Sequence, residues 1–160
     1  MKTSKLLSLF IIIGAIICFM PDEAFAQADS DTGGNFGIGV MLGEPTGVSV
    51  KSWNNSRSAF GLGAAWSLSG SNEAVHLHAD YLLHTWFTGV DRGRLAFYYG
   101  IGARVIFSDD AEAGIRVPLG LDYIFEDAPL DLFVEAVPIL NLTPDTDFAG
   151  NGAVGIRYYF

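Results

Sequence analysis

The sequence contains a single cysteine, Cys18, and it lies within the N-terminal apolar segment. A chain without further thiols has no internal disulfide and no cysteine-based metal site. Only 17% of the residues are charged, yet after the N-terminal segment no run of about 18 apolar residues occurs. The apolar half of the composition is therefore distributed along the chain, and a helical membrane span beyond that segment is excluded.

Residues 1–26 have the pattern of a cleavable signal peptide. A basic start with Lys2 and Lys5 precedes an apolar stretch from residue 6 to residue 20. The predicted cleavage site is formed by small residues before a polar one: Ala24, Ala26, Gln27. We expect export through the general secretory route, with residues 27–34 as a flexible N-terminal tail. A retained membrane anchor is the alternative, but about 15 apolar residues are short for a span.

From residue 35 onward the hydrophobic pattern has a period of two, which is typical of strands. The clearest segment alternates Val75, Leu77, Ala79, Tyr81 and Leu83 with His76, His78, Asp80, Leu82 and His84. Eight such segments, separated by turn residues, predict eight antiparallel strands in a domain of residues 35–160. Pro118 and Pro138 lack a backbone donor, so we expect a bulge or a strand end at each.

The less apolar face of these segments indicates which side meets solvent. A water-exposed face is rich in Lys, Glu, Thr and Ser, whereas this face consists of Gly, Ala and isolated charges of both signs. Small residues with a few charges suit the interior of a narrow eight-stranded barrel. The apolar face is then expected to meet lipid, so the sequence predicts an all-β, eight-stranded antiparallel up-and-down transmembrane barrel.

Charges of both signs on the inward face are nearly balanced. Buried charges persist when they are paired and hydrogen-bonded, so we expect an ion-pair network that closes the lumen. A gate or a proton path is the less favoured alternative. The predicted network comprises Lys51, Asp80, Arg94, Arg104, Arg116, Asp122, Asp131, Glu135 and Arg157.

Two further groups of residues follow from the predicted topology. Both chain ends fall at one end of the barrel, expected to be periplasmic, where aromatic residues would form an interfacial girdle. The predicted girdle comprises Phe36, Trp53, Phe60, Trp86, Phe87, Tyr123, Phe125, Tyr158 and Phe160, with a sparser one of Trp66, Phe107 and Phe148 at the other end. The outer loops carry only acidic charges, read as a solvated rim rather than a cation or partner site: Glu44, Glu73, Asp109, Asp110, Glu112, Asp145, Asp147.

Sites for chemistry are weakly indicated. His76 and His78 project from one face about 7 Å apart, which invites a metal interpretation, but no local spacing marks the remaining ligands. Lumen histidines satisfied by carboxylates are the favoured alternative. The acidic net charge of −9 argues against a nucleic-acid partner. We expect no enzyme activity, no cofactor and no metal.

With the strand pattern and the signal in place, the chain resembles small eight-stranded bacterial outer-membrane barrels of the OmpX and OmpA transmembrane-domain type. Its last strand, with Val154, Ile156, Tyr158 and Phe160, is similar to the C-terminal signal that the barrel-assembly machinery recognises in that class. The resemblance implies a monomer in the outer membrane of Gram-negative bacteria, surrounded by lipid, with a structural or surface-interaction role. Two alternatives stay open: a lipid-modifying outer-membrane enzyme and a soluble lipocalin-like periplasmic binder.

Overall fold

The computed structural model describes residues 34–44, 46–67, 74–108 and 111–160. The signal peptide with Ala24, Ala26 and Gln27, nearly all of the tail, and Glu73, Asp109 and Asp110 lie outside the described residues. The described residues form nine strands: β1 (Phe36–Glu44), β2 (Gly47–Trp53), β3 (Ser58–Ser67), β4 (Ala74–Trp86), β5 (Arg94–Phe107), β6 (Glu112–Arg116), β7 (Leu119–Ile124), β8 (Leu130–Thr143) and β9 (Asp147–Tyr159). Among them no helix is both long and apolar enough to cross a membrane.

All strand pairs are antiparallel, and the sheet closes on itself. Each strand pairs with its neighbours along the chain, β6 and β7 together fill one position between β5 and β8, and β1 pairs with β9. The result is a ring of eight positions, which leaves no open edge. The predicted all-β, up-and-down barrel is confirmed.

The predicted inward and outward faces are present on every wall of the barrel. On β1 and β9, for example, Val40, Ile156 and Tyr158 are exposed, whereas Met41, Arg157 and Tyr159 are buried. Apolar side chains therefore cover the outside, and the charged ones lie within. This polarity is the reverse of that in a water-soluble barrel, in which the apolar side chains point inward.

The two prolines explain why one predicted strand is observed as two. The register on either side places Val117 opposite Pro138, and Pro118 opposite Gly100. At each pair only one hydrogen bond forms: Val117 N–H donates to Pro138 O and Gly100 N–H to Pro118 O, both at 3.0 Å. The return bond is absent because proline has no N–H. The ladder is weakened on both sides of residues 117 and 118, and the strand assignment stops there.

The expectation for Pro138 itself is wrong. β8 continues through Pro138 without a bulge, and its alternation of exposed and buried residues is unchanged. The one register shift between β8 and β6 lies between Ala113 and Gly114, where Leu142 is the extra residue on β8. Proline is tolerated in this wall because its carbonyl still accepts a bond and its ring points outward.

Most of the predicted girdle lies on the outside, but two tryptophans do not. Phe60, Phe87, Tyr158 and Phe160 are exposed near the end that carries both termini of the barrel. Trp53 is buried inside, and its ring stacks 5.9 Å from that of Trp86. The prediction failed because it considered only height along the barrel. Alternation puts Trp53 on the same face as Lys51, and hence in the lumen.

Candidate functional site: charged side chains in the lumen

The charged residues of the lumen lie in three tiers along the barrel axis. The lower tier, near Phe36 and Phe160, comprises Lys51, Asp122, Asp131 and Arg157. The middle tier comprises Asp80, Arg116 and Glu135, and the upper tier comprises Arg104, Asn141, Glu112 and Asp147. Side chains alternate between the two faces of each strand, which places these residues inside. The register between neighbouring strands sets their height along the axis.

The lower tier is balanced and fully enclosed. Lys51 Nζ pairs with Asp122, and both side chains are 0% exposed. Arg157 Nε donates to both oxygens of Asp131 at 3.0 Å, and its Nη2 lies 3.5 Å from Asp122 Oδ1. Two cations and two carboxylates thus cross-link β2, β7, β8 and β9. Such an arrangement offsets the cost of taking these charges out of water.

Neutral groups complete the lower tier. The Tyr159 hydroxyl donates to Asp131 Oδ2 at 2.6 Å, and Arg157 Nη1 donates to Ser49 Oγ at 3.4 Å. The Arg157 guanidinium lies 4.1 Å from the Phe133 ring centroid, and Lys51 Nζ lies 4.3 Å from that of Trp53. Cations above aromatic faces gain further stabilisation in a dry interior. The lower tier is therefore closed by packed rings as well as by ion pairs.

The imidazole ring of His84 lies beside the lower tier. Its Nε2 is 3.7 Å from Asp122 Oδ2, and its ring lies 4.3 Å from that of Trp53. Within the part of the chain that the structure describes, neither ring nitrogen of His84 has a hydrogen-bond partner. The histidine serves here mainly as a flat ring in an aromatic stack.

The middle tier has one cation for two carboxylates. Arg116 Nε lies 3.0 Å from Asp80 Oδ1, and Arg116 Nη2 lies 3.2 Å from Glu135 Oε1. The Tyr98 hydroxyl donates to Glu135 Oε2 at 2.9 Å. His78 Nε2 is 4.0 Å from Asp80 Oδ2. Gly102 leaves space for the Asp80 carboxylate, because a Cβ at Gly102 would lie 1.9 Å from Asp80 Oδ1.

The upper tier is looser and partly open. Arg104 Nη2 donates to Asn141 Oδ1 at 2.6 Å, and Asn141 Nδ2 donates to Asp147 Oδ1 at 3.0 Å. Glu112 lies 3.8 Å from Arg104, with its side chain 38% exposed. Glu112 and Asp147, which the sequence assigned to a solvated rim, thus contact the lumen network instead.

Of the nine predicted network residues, eight make ion pairs or charged hydrogen bonds inside the barrel. Arg94 differs, since its guanidinium lies 3.9 Å from the Trp86 ring centroid and has no ion pair among the described residues. Sequence reasoning missed Ser49, Tyr98, Asn141 and Tyr159. Their signal was present, because each stands on the inward face of its strand beside small residues.

The histidines do not form a metal site. Among the described residues no group of three or more His, Cys, Asp or Glu side chains is arranged to hold a metal ion. His76, His78 and His84 all belong to the inward face of β4, so none of them reaches the outer wall.

Comparisons with known proteins give one informative match. No family model matches the sequence, and no curated protein matches it. Among solved structures, the chain is similar to the N-terminal β-barrel domain of Pseudomonas aeruginosa OprF, with a TM-score of 0.58 and 15% sequence identity. The alignment covers 78% of this chain and 96% of that domain. At this identity the likeness is one of fold.

Proposed function

We propose that this protein is an integral outer-membrane β-barrel with a structural or surface-interaction role, closed along its lumen by ion pairs. The observation that carries the proposal is the reversed polarity of the barrel. Large apolar side chains are exposed on every strand except β2, where the outward valines are half-buried, while Lys51, Arg116, Asp122 and Asp131 are inside and at most 1% exposed. A surface of this kind is stable in lipid and not in water.

The likeness to the OprF barrel domain supports this location as well as the fold. Closure of the ring supports it independently, because a spanning sheet must satisfy its backbone groups without water. The soluble lipocalin-like alternative requires polar side chains outside. Exposed Ile101, Leu121 and Val134 at mid-height are unfavourable for it.

A passive lumen is supported by the lower tier. Its side chains are at most 5% exposed, and they join four strands across the barrel. An open water-filled path requires these pairs to part, which exposes charges without partners. We therefore propose a plugged barrel that does not conduct ions at rest, to be tested by single-channel recording in planar bilayers. Steady conductance from the native protein would contradict the plugged lumen without affecting the location.

We propose a non-enzymatic role. The lipid-modifying alternative requires a His, Ser or carboxylate constellation on the outer wall, and His76, His78 and His84 belong to the inward face of β4. Recognition by the barrel-assembly machinery through Val154, Ile156, Tyr158 and Phe160 stays a prediction. So does a monomeric state.

The first test of location is fractionation followed by gel migration. We expect the protein in the outer-membrane fraction, extractable only with detergent, and migrating differently before and after boiling. Closed barrels resist denaturation at room temperature, which causes the shift. Recovery in the aqueous periplasmic fraction, with no shift on boiling, would contradict the membrane proposal.

A second test places a charge on the outer wall. Ile101 lies near mid-height of β5, and Ile101→Arg should destabilise the folded barrel by about 2–4 kcal/mol. Leu142 lies near the upper end of β8, and Leu142→Arg should cost about 0–1 kcal/mol. Both positions are exposed, so they are matched controls for each other. Urea titration in lipid vesicles measures the difference. Equal losses of stability at the two positions would argue against a layer of lipid hydrocarbon around the middle of the barrel.

A further inference from the structure

The middle tier contains a surplus of buried negative charge. Among the described residues, Arg116 is the one cation in contact with both Asp80 and Glu135, whose side chains are 5% and 12% exposed. If both carboxylates are ionised, one negative charge has no counter-charge. An uncompensated buried charge is costly enough that the group is neutralised instead. The lower tier has no such surplus, since its two cations face two carboxylates.

The hydrogen bonds identify which carboxyl group becomes neutral. Each carboxylate oxygen of Glu135 has a hydrogen-bond donor, Tyr98 at 2.9 Å and Arg116 at 3.2 Å. Asp80 Oδ1 makes no hydrogen bond within the described residues, since the 3.0 Å contact with Arg116 Nε lacks hydrogen-bond geometry. Asp80 is also the more enclosed of the two.

The strands on either side of Asp80 face it with glycines. Its partner on β3 is Gly61, and its partner on β5 is Gly102, so neither adjoining wall supplies a charge at its height. On its own strand, His78 lies 4.0 Å away, and it pairs in register with Arg104. Because Arg104 stands opposite His78 in the register, and like charges facing each other across strands repel, His78 does not supply the missing cation. The proton is better held on Asp80.

We propose that the middle tier is a proton-binding site in which Asp80 is a neutral carboxylic acid at neutral pH, while Glu135 is paired with Arg116. The ligand is a proton. The folded barrel then holds one proton that the unfolded chain releases above about pH 4. Asp80 by itself lowers the folded-to-unfolded ratio by about tenfold for each unit of rising pH, until it ionises.

Infrared spectroscopy of the full-length protein in detergent tests the site directly. A neutral carboxylic acid has a carbonyl band that a carboxylate lacks. We expect this band in the native protein at neutral pH, its loss in Asp80→Asn, and its retention in Glu112→Gln. The last variant removes a carboxylate from the open upper tier and is the matched control.

Glu135→Gln tests the cause as well as the place. Removing the second carboxylate leaves Asp80 paired one-to-one with Arg116, so Asp80 should ionise and the acid band should disappear although Asp80 is intact. If Asp80→Asn fails to fold, this variant carries the test alone. Absence of the band in the native protein, or its persistence in either variant, overturns the proposal.

The unfolding midpoint gives a second readout. The difference in midpoint between the native protein and Asp80→Asn should fall as the pH rises, whereas the difference between the native protein and Glu112→Gln should not, because the other titratable groups are common to each pair. A midpoint that instead depends on sodium or potassium concentration at constant ionic strength, with no acid band, would replace the proton by a bound cation and overturn the assignment.

Discussion

The lower and upper tiers of the lumen contain the same chemistry at different degrees of burial. In the lower tier, Lys51 and Asp122 are completely enclosed, and Arg157 donates hydrogen bonds of equal length to both carboxylate oxygens of Asp131. In the upper tier, Arg104 donates to the neutral amide of Asn141, and its carboxylate partner Glu112 is partly exposed. The contribution of an ion pair to the stability of this barrel therefore depends more on its access to water than on the distance between the two charges.

The physical reason is desolvation. Enclosed charges lose their hydration, and each then depends on its partner, whereas a charge at the mouth recovers hydration when its partner is removed. Removing one member should therefore be severe in the lower tier and mild in the upper. The variants below test this contrast, in order of decreasing effect.

Asp122→Asn should have the largest effect. It leaves Lys51 enclosed without its counter-charge, and we expect a loss of about 3–5 kcal/mol in the free energy of unfolding. Urea titration of the barrel in lipid vesicles measures it. A loss below that of any upper-tier variant would contradict the ranking by burial.

The double variant Lys51→Met with Asp122→Asn should lose less stability than Asp122→Asn alone. It removes both members of the enclosed pair and leaves Arg157 balanced by Asp131. Neighbouring groups of this kind couple by about 0.5–3 kcal/mol, so a double-mutant cycle can resolve the term. Simple addition of the two single losses would show that Lys51 and Asp122 act independently.

Arg104→Gln should cost an intermediate amount, about 1.5–3 kcal/mol, the range for hydrogen bonds to charged groups. It loses the 2.6 Å bond to Asn141, yet leaves no enclosed charge behind. The same titration applies, with Arg94→Gln as control, because Arg94 contacts the ring of Trp86 and not a carboxylate among the described residues.

Glu112→Gln should have the smallest effect, below about 1 kcal/mol, as for exposed ion pairs. What remains of the contribution should decrease further at high salt, because water and ions reach this side chain. The measurement is the unfolding midpoint of the native protein and of Glu112→Gln, each at low and at high salt. A salt-independent loss comparable to that of Asp122→Asn would place Glu112 in a drier site than its exposure indicates.

Much of the barrel could be predicted because alternation is a local property. A one-residue slip turns a whole strand inside out, so the period-two pattern placed His76, His78, Asp80 and His84 on one face. The composition of the less apolar faces then assigned them to the lumen. Where the prediction abandoned that rule, it was wrong, as for Trp53, which was assigned to the girdle by height. The proline positions were recognised, but their consequence was not. Pro118 and Pro138 lie next to each other across the sheet, and a sequence does not show which residues face each other across strands.

The sequence by itself determined the strand period, the face of each side chain and the near balance of charge inside, because each depends on residues close together along the chain. Only the tertiary structure decided which charges meet. Lys51 and Asp122 are 71 residues apart, and Tyr98 and Glu135 are 37 apart. Their contacts depend on the register of every strand pair around the closed ring, which sets the height of each side chain. The division into a balanced lower tier and a middle tier with surplus negative charge arises only at that level.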